Sequence, residues 1–301
     1  MKATFIRSIL GVVAFPLTIW NLAMNQLNKI APPGQLIETK YSDIHAIVTG
    51  EGKVIVILEA GLGSVSIDWC YVQPEISNFA KVISYDRGDY GWSRTKRNSL
   101  TSLDSVEELN EVLKKLNIQP PYILVGHSFG GLSMRLFASM YPDDVAGIVL
   151  VDAVHENQYI TSNQNKKFQR LVTFGYATSL MGLPRILKQK IGRKFLAKEY
   201  AQHLKYIGYT LGAYKSMYRE YRDSSISAKQ LMEAEPLRDD LSIKVISAEN
   251  NSEQWKKRQM LLSKLTNKTE HIQTKTGHSI HLEDPSIVIK CITNLIKESS
   301  G

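Results

Sequence analysis

Ser128 stands inside Gly126-His127-Ser128-Phe129-Gly130, a glycine-x-serine-x-glycine pattern. An apolar run from Tyr122 precedes it and a helix-like stretch follows. A strand that reverses at once into a helix strains its central residue, and side chains on either flanking position would collide. The hydroxyl of such a serine projects from the sheet edge, where it suits attack on a carbonyl carbon. Phe129 then offers its backbone N–H from the first helical turn, where donors lack intrahelical partners and the dipole favours negative charge. A plain glycine-rich turn with an incidental serine has the same five residues, but the flanking strand and helix patterns weigh against it. Two further places supply what a nucleophilic serine needs. His278 follows a short strand pattern and Gly277, a loop position from which an imidazole can reach over Ser128. Leu62 lies in the loop Glu59-Ala60-Gly61-Leu62-Gly63-Ser64, whose glycines let backbone approach a ligand, so its N–H is a second candidate oxyanion donor.

The elements that would position these residues alternate. Val54 to Leu58, Val82 to Tyr85, Tyr122 to Val125, Val145 to Val151 and Ile243 to Ala248 are apolar, β-branched runs of the kind buried on both faces of a parallel sheet. Ile44 to Val48 reads as an edge strand after a linker through Gln35, and His271 to Thr274 as a last short strand. Helix patterns separate them, one with Asp104 as its expected N-cap and Glu107 three residues on. Strands alternating with helices imply an α/β fold, a mostly parallel sheet covered on both faces. Asp86, Arg87 and Asp89 in DRGDYGWS read as a tight turn held by charged side chains rather than as catalytic groups.

A chain of 301 residues can carry one large domain with an insertion. Cys70 and Cys291 are too few and too far apart for a disulfide framework or a zinc site, and no metal or cofactor is expected. From Arg7 to Lys29 no charged residue intervenes, about the length that crosses a bilayer. Residues 1–29 are therefore expected to be a retained membrane anchor, with a cleaved signal sequence or a buried N-terminal helix as alternatives. Lys2 and Arg7 would hold the terminus in the cytoplasm and leave the body outside, while Lys29 on the far flank opposes that orientation. Residues 30–155 and 242–301 then form the core, and residues 156–241 a helical cap where the strand rhythm stops. Lys166, Lys167, Arg170, Arg185, Lys188, Lys190, Arg193, Lys194 and Lys198 concentrate positive charge in the cap. That face is either simply solvated or attracted to anionic lipid; no motif for nucleic acid accompanies it.

These residues resemble the α/β-hydrolase family, in its esterase, lipase and peptidase-like members with a helical cap. The resemblance runs from about Tyr41 to Lys297 and is carried by AGLGS at Ala60 to Ser64, YDRGDYGWS at Tyr85 to Ser93, GHSFGG at Gly126 to Gly131, VLVDA at Val149 to Ala153 and GHSIHLEDP at Gly277 to Pro285. It implies Ser128 as nucleophile, His278 as base and the N–H groups of Leu62 and Phe129 as oxyanion hole. Dehalogenase and epoxide hydrolase members use a carboxylate nucleophile where Ser128 stands. Two departures matter. The oxyanion loop reads Ala60-Gly61 where many members have His-Gly, and Asn250 and Asn251 occupy the segment that usually supplies the triad acid. An amide cannot stabilise imidazolium. Asp152, at the end of the preceding strand, is the expected acid, with Glu253 and Glu249 as alternatives.

The expected activity is hydrolysis of a small-molecule or lipid-like carboxylic ester through a covalent acyl-enzyme. Aminopeptidase, amidase or acyltransferase chemistry is the alternative on the same fold. A non-catalytic hydrolase-like binding protein at the membrane is the rival from another class.

Overall fold

The structure, a computed structural model, describes residues 2–160, 166–189 and 193–300, so Lys190 of the basic run lies outside the described residues. Among these, nine strands form one sheet: β1 (Gln35–Glu38), β2 (Ser42–Thr49), β3 (Ile55–Glu59), β4 (Lys81–Tyr85), β5 (Arg94–Thr95), β6 (Tyr122–His127), β7 (Val145–Val151), β8 (Ser242–Ala248) and β9 (Thr269–Thr274). Their spatial order is β1-β2-β4-β3-β6-β7-β8-β9, with β5 paired to β2. Every pairing from β4 through β9 is parallel, and β1, β2 and β5 join antiparallel at one side. The longer helices are α1 (Lys2–Val13), α2 (Phe15–Leu27), α3 (Ser102–Lys115), α4 (Gly130–Met140), α5 (Lys166–Thr178), α6 (Leu211–Glu233), α7 (Glu253–Leu262) and α8 (Pro285–Ser300).

The apolar runs form the central strands because both of their faces are covered. Alternate residues Ile55, Ile57, Leu124, Ile148 and Leu150 pack with Val106 and Leu109 of α3 and Phe137 of α4. Their neighbours Val56, Leu58, Val125 and Val149 pack with Val288, Ile292 and Leu295 of α8. A period of two thus feeds two layers, the signature of a doubly covered parallel sheet. Helix α3 is capped by Thr101 rather than by Asp104. The Thr101 hydroxyl accepts from the Asp104 N–H at 3.2 Å while the Asp104 carboxylate accepts from the Thr101 N–H at 2.9 Å, a capping box shifted by three residues from the expected start.

Between β7 and β8 the described residues contain helices and turns, including α5 and α6, and no strand. The N-terminal apolar span is broken at Ala14 into α1 and α2, bent by 98°, and among the described residues no single helix is long and apolar enough to cross a membrane. Pro16 explains the break: in the first turn of α2 it lacks an N–H to continue the ladder, and its ring collides with the carbonyl one turn back. At 1.5 Å per residue each helix reaches about 20 Å, short of a hydrocarbon core of about 30 Å.

The pair turns Asn21 and Arg7 toward the body. Asn21, fully buried, donates to the carbonyls of Ser179 and Leu180 at 3.0 and 3.2 Å and accepts from Arg185 Nε at 3.1 Å. Arg7 donates to Ser179 Oγ and lies 4.8 Å over the Tyr176 ring. Outward stand Phe5, Val12, Val13, Phe15 and Leu27, all more than half exposed.

Candidate active site

The turn from β6 into α4 places Ser128 at φ 50°, in the left-handed region that side chains seldom adopt. Two features hold it there. Its N–H donates to Val151 O at 3.1 Å, and its carbonyl accepts from Val154 N at 2.9 Å and Gly131 N at 3.1 Å. The flanking glycine is obligatory: a Cβ on Gly126 would lie 2.7 Å from Gly131 Cα. Such strain persists only where the surroundings overdetermine it.

His278, in the loop after β9, brings Nε2 to 2.9 Å from Ser128 Oγ. Its Nδ1 lies 2.6 Å from Oδ2 of Asp152, which ends β7 at φ 40° and is wholly buried. Asp152 is the candidate acid that the fold brings to the imidazole. Its Oδ1 accepts from Ala248 N at 3.1 Å and Trp255 Nε1 at 2.9 Å, and its Oδ2 also accepts from Asn251 Nδ2 at 3.1 Å. Four donors thus surround one buried carboxylate. Glu253 is instead exposed and pairs with Lys256 at 3.1 Å, and Glu249 docks through its N–H on Thr274 O. Neither reaches His278 among the hydrogen bonds and ion pairs of the described residues. Asn251, where an acid was expected, donates to the acid. Trp255 does the same while setting its ring edge-on to His278 at 5.3 Å, a role that no motif announces.

The loop carrying Leu62 lies against the nucleophile. A Cβ on Gly61 would stand 2.9 Å from His127 Nδ1 and 3.1 Å from Ser128 Cβ, so only glycine lets this loop approach. Arg87 grips the loop's carbonyls, donating from Nη1 to Ala60 O at 2.6 Å and from Nη2 to Gly61 O at 3.1 Å. Tyr90 OH accepts from Gly63 N at 3.2 Å. The N–H groups of Leu62 and Phe129 have no acceptor among the described residues, as oxyanion donors require.

Arg87 is more than a turn residue. Buried, it also pairs with Glu59 at the end of β3 and, through Nε at 2.8 Å and Nη2 at 3.1 Å, with Glu220 of α6, which accepts from Tyr90 OH as well. Burial raises the Glu59 carboxyl to about 7 against the pull of Arg87. Asp86 does keep to a structural role, accepting from Ser66 N at 2.7 Å and bonding His45 Nδ1 at 2.8 Å.

Beneath the site, His127 and His281 pack ring to ring at 4.2 Å. Burial lowers both, His281 to about 4, so both stay neutral beside His278. A cavity of ≈ 600 Å³ opens over Ser128 and His278, walled by Leu62, Val154, Tyr159, Phe168, Tyr221 and Trp255. A serine hydroxyl, an imidazole in line with it, a buried carboxylate behind and two open N–H groups beside are the parts of acyl transfer. No group of three or more metal-ligating side chains occurs among the described residues.

This fold is that of the α/β hydrolases. A profile of the alpha/beta hydrolase fold matches residues 53–180. An epoxide-hydrolase structure described as such from Pseudomonas aeruginosa superposes with a TM-score of 0.69 at 16% identity, covering 88% of this chain and 95% of that one. A thermophilic esterase from Thermogutta terrifontis superposes with a TM-score of 0.64 at 19% identity, covering 88% and 97%. By sequence the chain is 34% identical to YqjL of Bacillus subtilis over 103 residues, 34% of this chain and 41% of that protein. It is 31% identical to Methylesterase 2 of Arabidopsis thaliana over 113 residues, 35% and 42% respectively. The chain thus spans about two-fifths of the length of these two relatives. It has the α/β-hydrolase fold.

Proposed function

We propose that this chain is a serine hydrolase that cleaves a carboxylic ester bearing an apolar acyl group. The observation that carries the reading is the continuous line from Ser128 Oγ through His278 to buried Asp152. His278 Nε2 takes the hydroxyl proton as Oγ bonds to the ester carbon, and the carbonyl electrons move onto oxygen, facing the Leu62 and Phe129 N–H groups. Collapse breaks the ester bond. The alkoxide leaves with the proton from His278, and water, activated by the same imidazole, releases the acid. Asp152 fixes the tautomer and stabilises the imidazolium. The apolar wall of Val154, Phe168 and Tyr221 supports the choice of acyl group. A hydroxyl at position 128 supports acyl transfer over the carboxylate-nucleophile chemistry of epoxide hydrolases.

A fluorophosphonate probe is expected to label purified protein at Ser128 and nowhere else. Ser128→Ala and His278→Ala are each expected to lower turnover of a p-nitrophenyl ester by about a thousandfold, without additivity, because the two act as a unit. Near-wild-type turnover by a clean Ser128→Ala preparation would end this reading.

The exposed apolar side chains of the N-terminal pair support attachment to a membrane. Lys166, Lys167, Arg170, Lys188, Lys194 and Lys198 are exposed to meet anionic headgroups. Arg185 and Arg193 contribute less to that surface. Arg193 pairs with buried Asp68 at 2.8 Å, and Arg185 bonds Asn21 and Lys205 O.

A further inference from the structure

We propose that Arg258 and Gln158 form an anion-binding subsite in the wall of the Ser128 cavity, and that the ester this site takes carries a carboxylate or phosphate group. The inference rests on the serine-hydrolase reading and names its substrate class. Helix α7 is fastened over the site by one face: Trp255 donates to Asp152 and Gln259 Nε2 donates to Ala153 O at 2.7 Å. Arg258 lies three residues after Trp255, and side chains at that spacing share a helix face, so docking Trp255 turns Arg258 toward the same cavity. Among the described residues lining the cavity it is the sole permanently charged group, and none of them is a carboxylate.

Elsewhere four arginines that leave the solvent are paired with carboxylates, Arg87 with Glu59 and Glu220, Arg97 with Asp104, Arg135 with Glu156 and Arg193 with Asp68, and Arg185 fills its Nε, Nη1 and Nη2 with Asn21, Lys205 O and Asn25. Arg258 is half-buried without such a partner. Nη1 donates to Gln158 Oε1 at 3.0 Å, a neutral amide, and Nε and Nη2 have no acceptor among the described residues. A planar fork with unfilled donors, held at one corner by an amide, is the geometry that takes a carboxylate or phosphate through two parallel hydrogen bonds. Leaving that fork empty in a partly dehydrated wall is costly, and an anionic substrate group relieves the cost. The subsite therefore selects amphiphilic esters, apolar along Phe168 and Tyr221 and acidic at the end that meets Arg258.

The test compares mono-p-nitrophenyl glutarate with p-nitrophenyl pentanoate on the full chain; the two differ in a terminal carboxylate against a methyl group. The ratio of their kcat/KM values is expected to favour the acid by about tenfold, through KM, and to fall with added salt. R258Q is expected to bring the ratio near one and R258K to leave it between. Glutarate and butyl phosphate, tested as competitive inhibitors and by shift in melting temperature, distinguish the carboxylate source from the phosphate source. Both effects should vanish in R258Q. The proposal is overturned if wild-type protein prefers the neutral ester, or if R258Q changes neither ratio nor binding. Failure of Ser128 to take a fluorophosphonate would sink the hydrolase reading instead, and the binding arms would still decide the subsite.

Discussion

At the scale of single residues, the proposed chemistry turns on the carboxylate behind His278. Asp152 is buried, left-handed in backbone and surrounded by donors from Ala248, Asn251 and Trp255 besides the imidazole. Asp152→Asn keeps the volume and removes the charge, so turnover is expected to fall by about a hundredfold or more with little change in substrate binding. Glu253→Gln, at an exposed ion pair, is expected to cost less than about twofold. Trp255→Phe removes one donor to the acid and is expected to fall between, at about tenfold in kcat. Stopped-flow or steady-state kinetics on folded variants checks all three. An active Asp152→Asn beside a dead Glu253→Gln would return the acid to the segment after β8.

At the scale of elements, α6 and the oxyanion loop are joined through buried charge. Glu220 bonds Arg87 and Tyr90, and those two occupy the Ala60 and Gly61 carbonyls and the Gly63 N–H, while the Leu62 N–H has no acceptor among the described residues. Glu220→Gln and Tyr90→Phe are each expected to lower kcat by about tenfold with KM nearly unchanged, and to weaken a boronic acid inhibitor in proportion. Wild-type kcat and inhibitor affinity in folded variants would show the network to be structural only.

The same network has a pH signature. Burial raises Glu59 to about 7 from an ordinary 4.5, so the stability this group contributes is full below about 4.5 and is lost as pH rises through about 7. Burial lowers His281 to about 4 from 6.5, so its contribution is full above 6.5 and is lost as pH falls through about 4. Melting temperatures of Glu59→Gln are expected to lose the decline that wild-type protein shows relative to the variant between about pH 4.5 and 7. An unchanged difference between the two proteins across that window would remove Glu59 from this account.

At the scale of the whole molecule, the N-terminal helices are both a surface and a support. Removing residues 1–29 is expected to reduce flotation with anionic vesicles and to leave weaker, salt-sensitive binding through the basic face of α5. The same deletion uncovers the Ser179 and Leu180 carbonyls that Asn21 satisfies, so a lower melting temperature is expected. Asn21→Leu isolates that second effect, at about 1–3 kcal/mol for leaving buried carbonyls unpaired, measured by denaturant unfolding. Equal vesicle binding with and without residues 1–29 would count against attachment through this pair.

The sequence by itself determined the α/β order, because apolar runs separated by helical periods have few ways to bury both faces of a strand. It also marked Ser128, since a left-handed elbow demands flanking glycines and those are visible as letters. Short β1 and β5 were not legible, because edge pairing needs backbone partners more than apolar side chains. Tertiary structure alone brought Asp152 to His278 across 126 positions, set Asn251 and Trp255 as donors to it, and spread Arg87 between β3 and α6. It also broke the N-terminal apolar span into a bent pair with Asn21 and Arg7 toward the body, which composition could not separate from a single crossing helix. These are contacts between distant segments, fixed by how the layers pack, and local pattern carries no record of them.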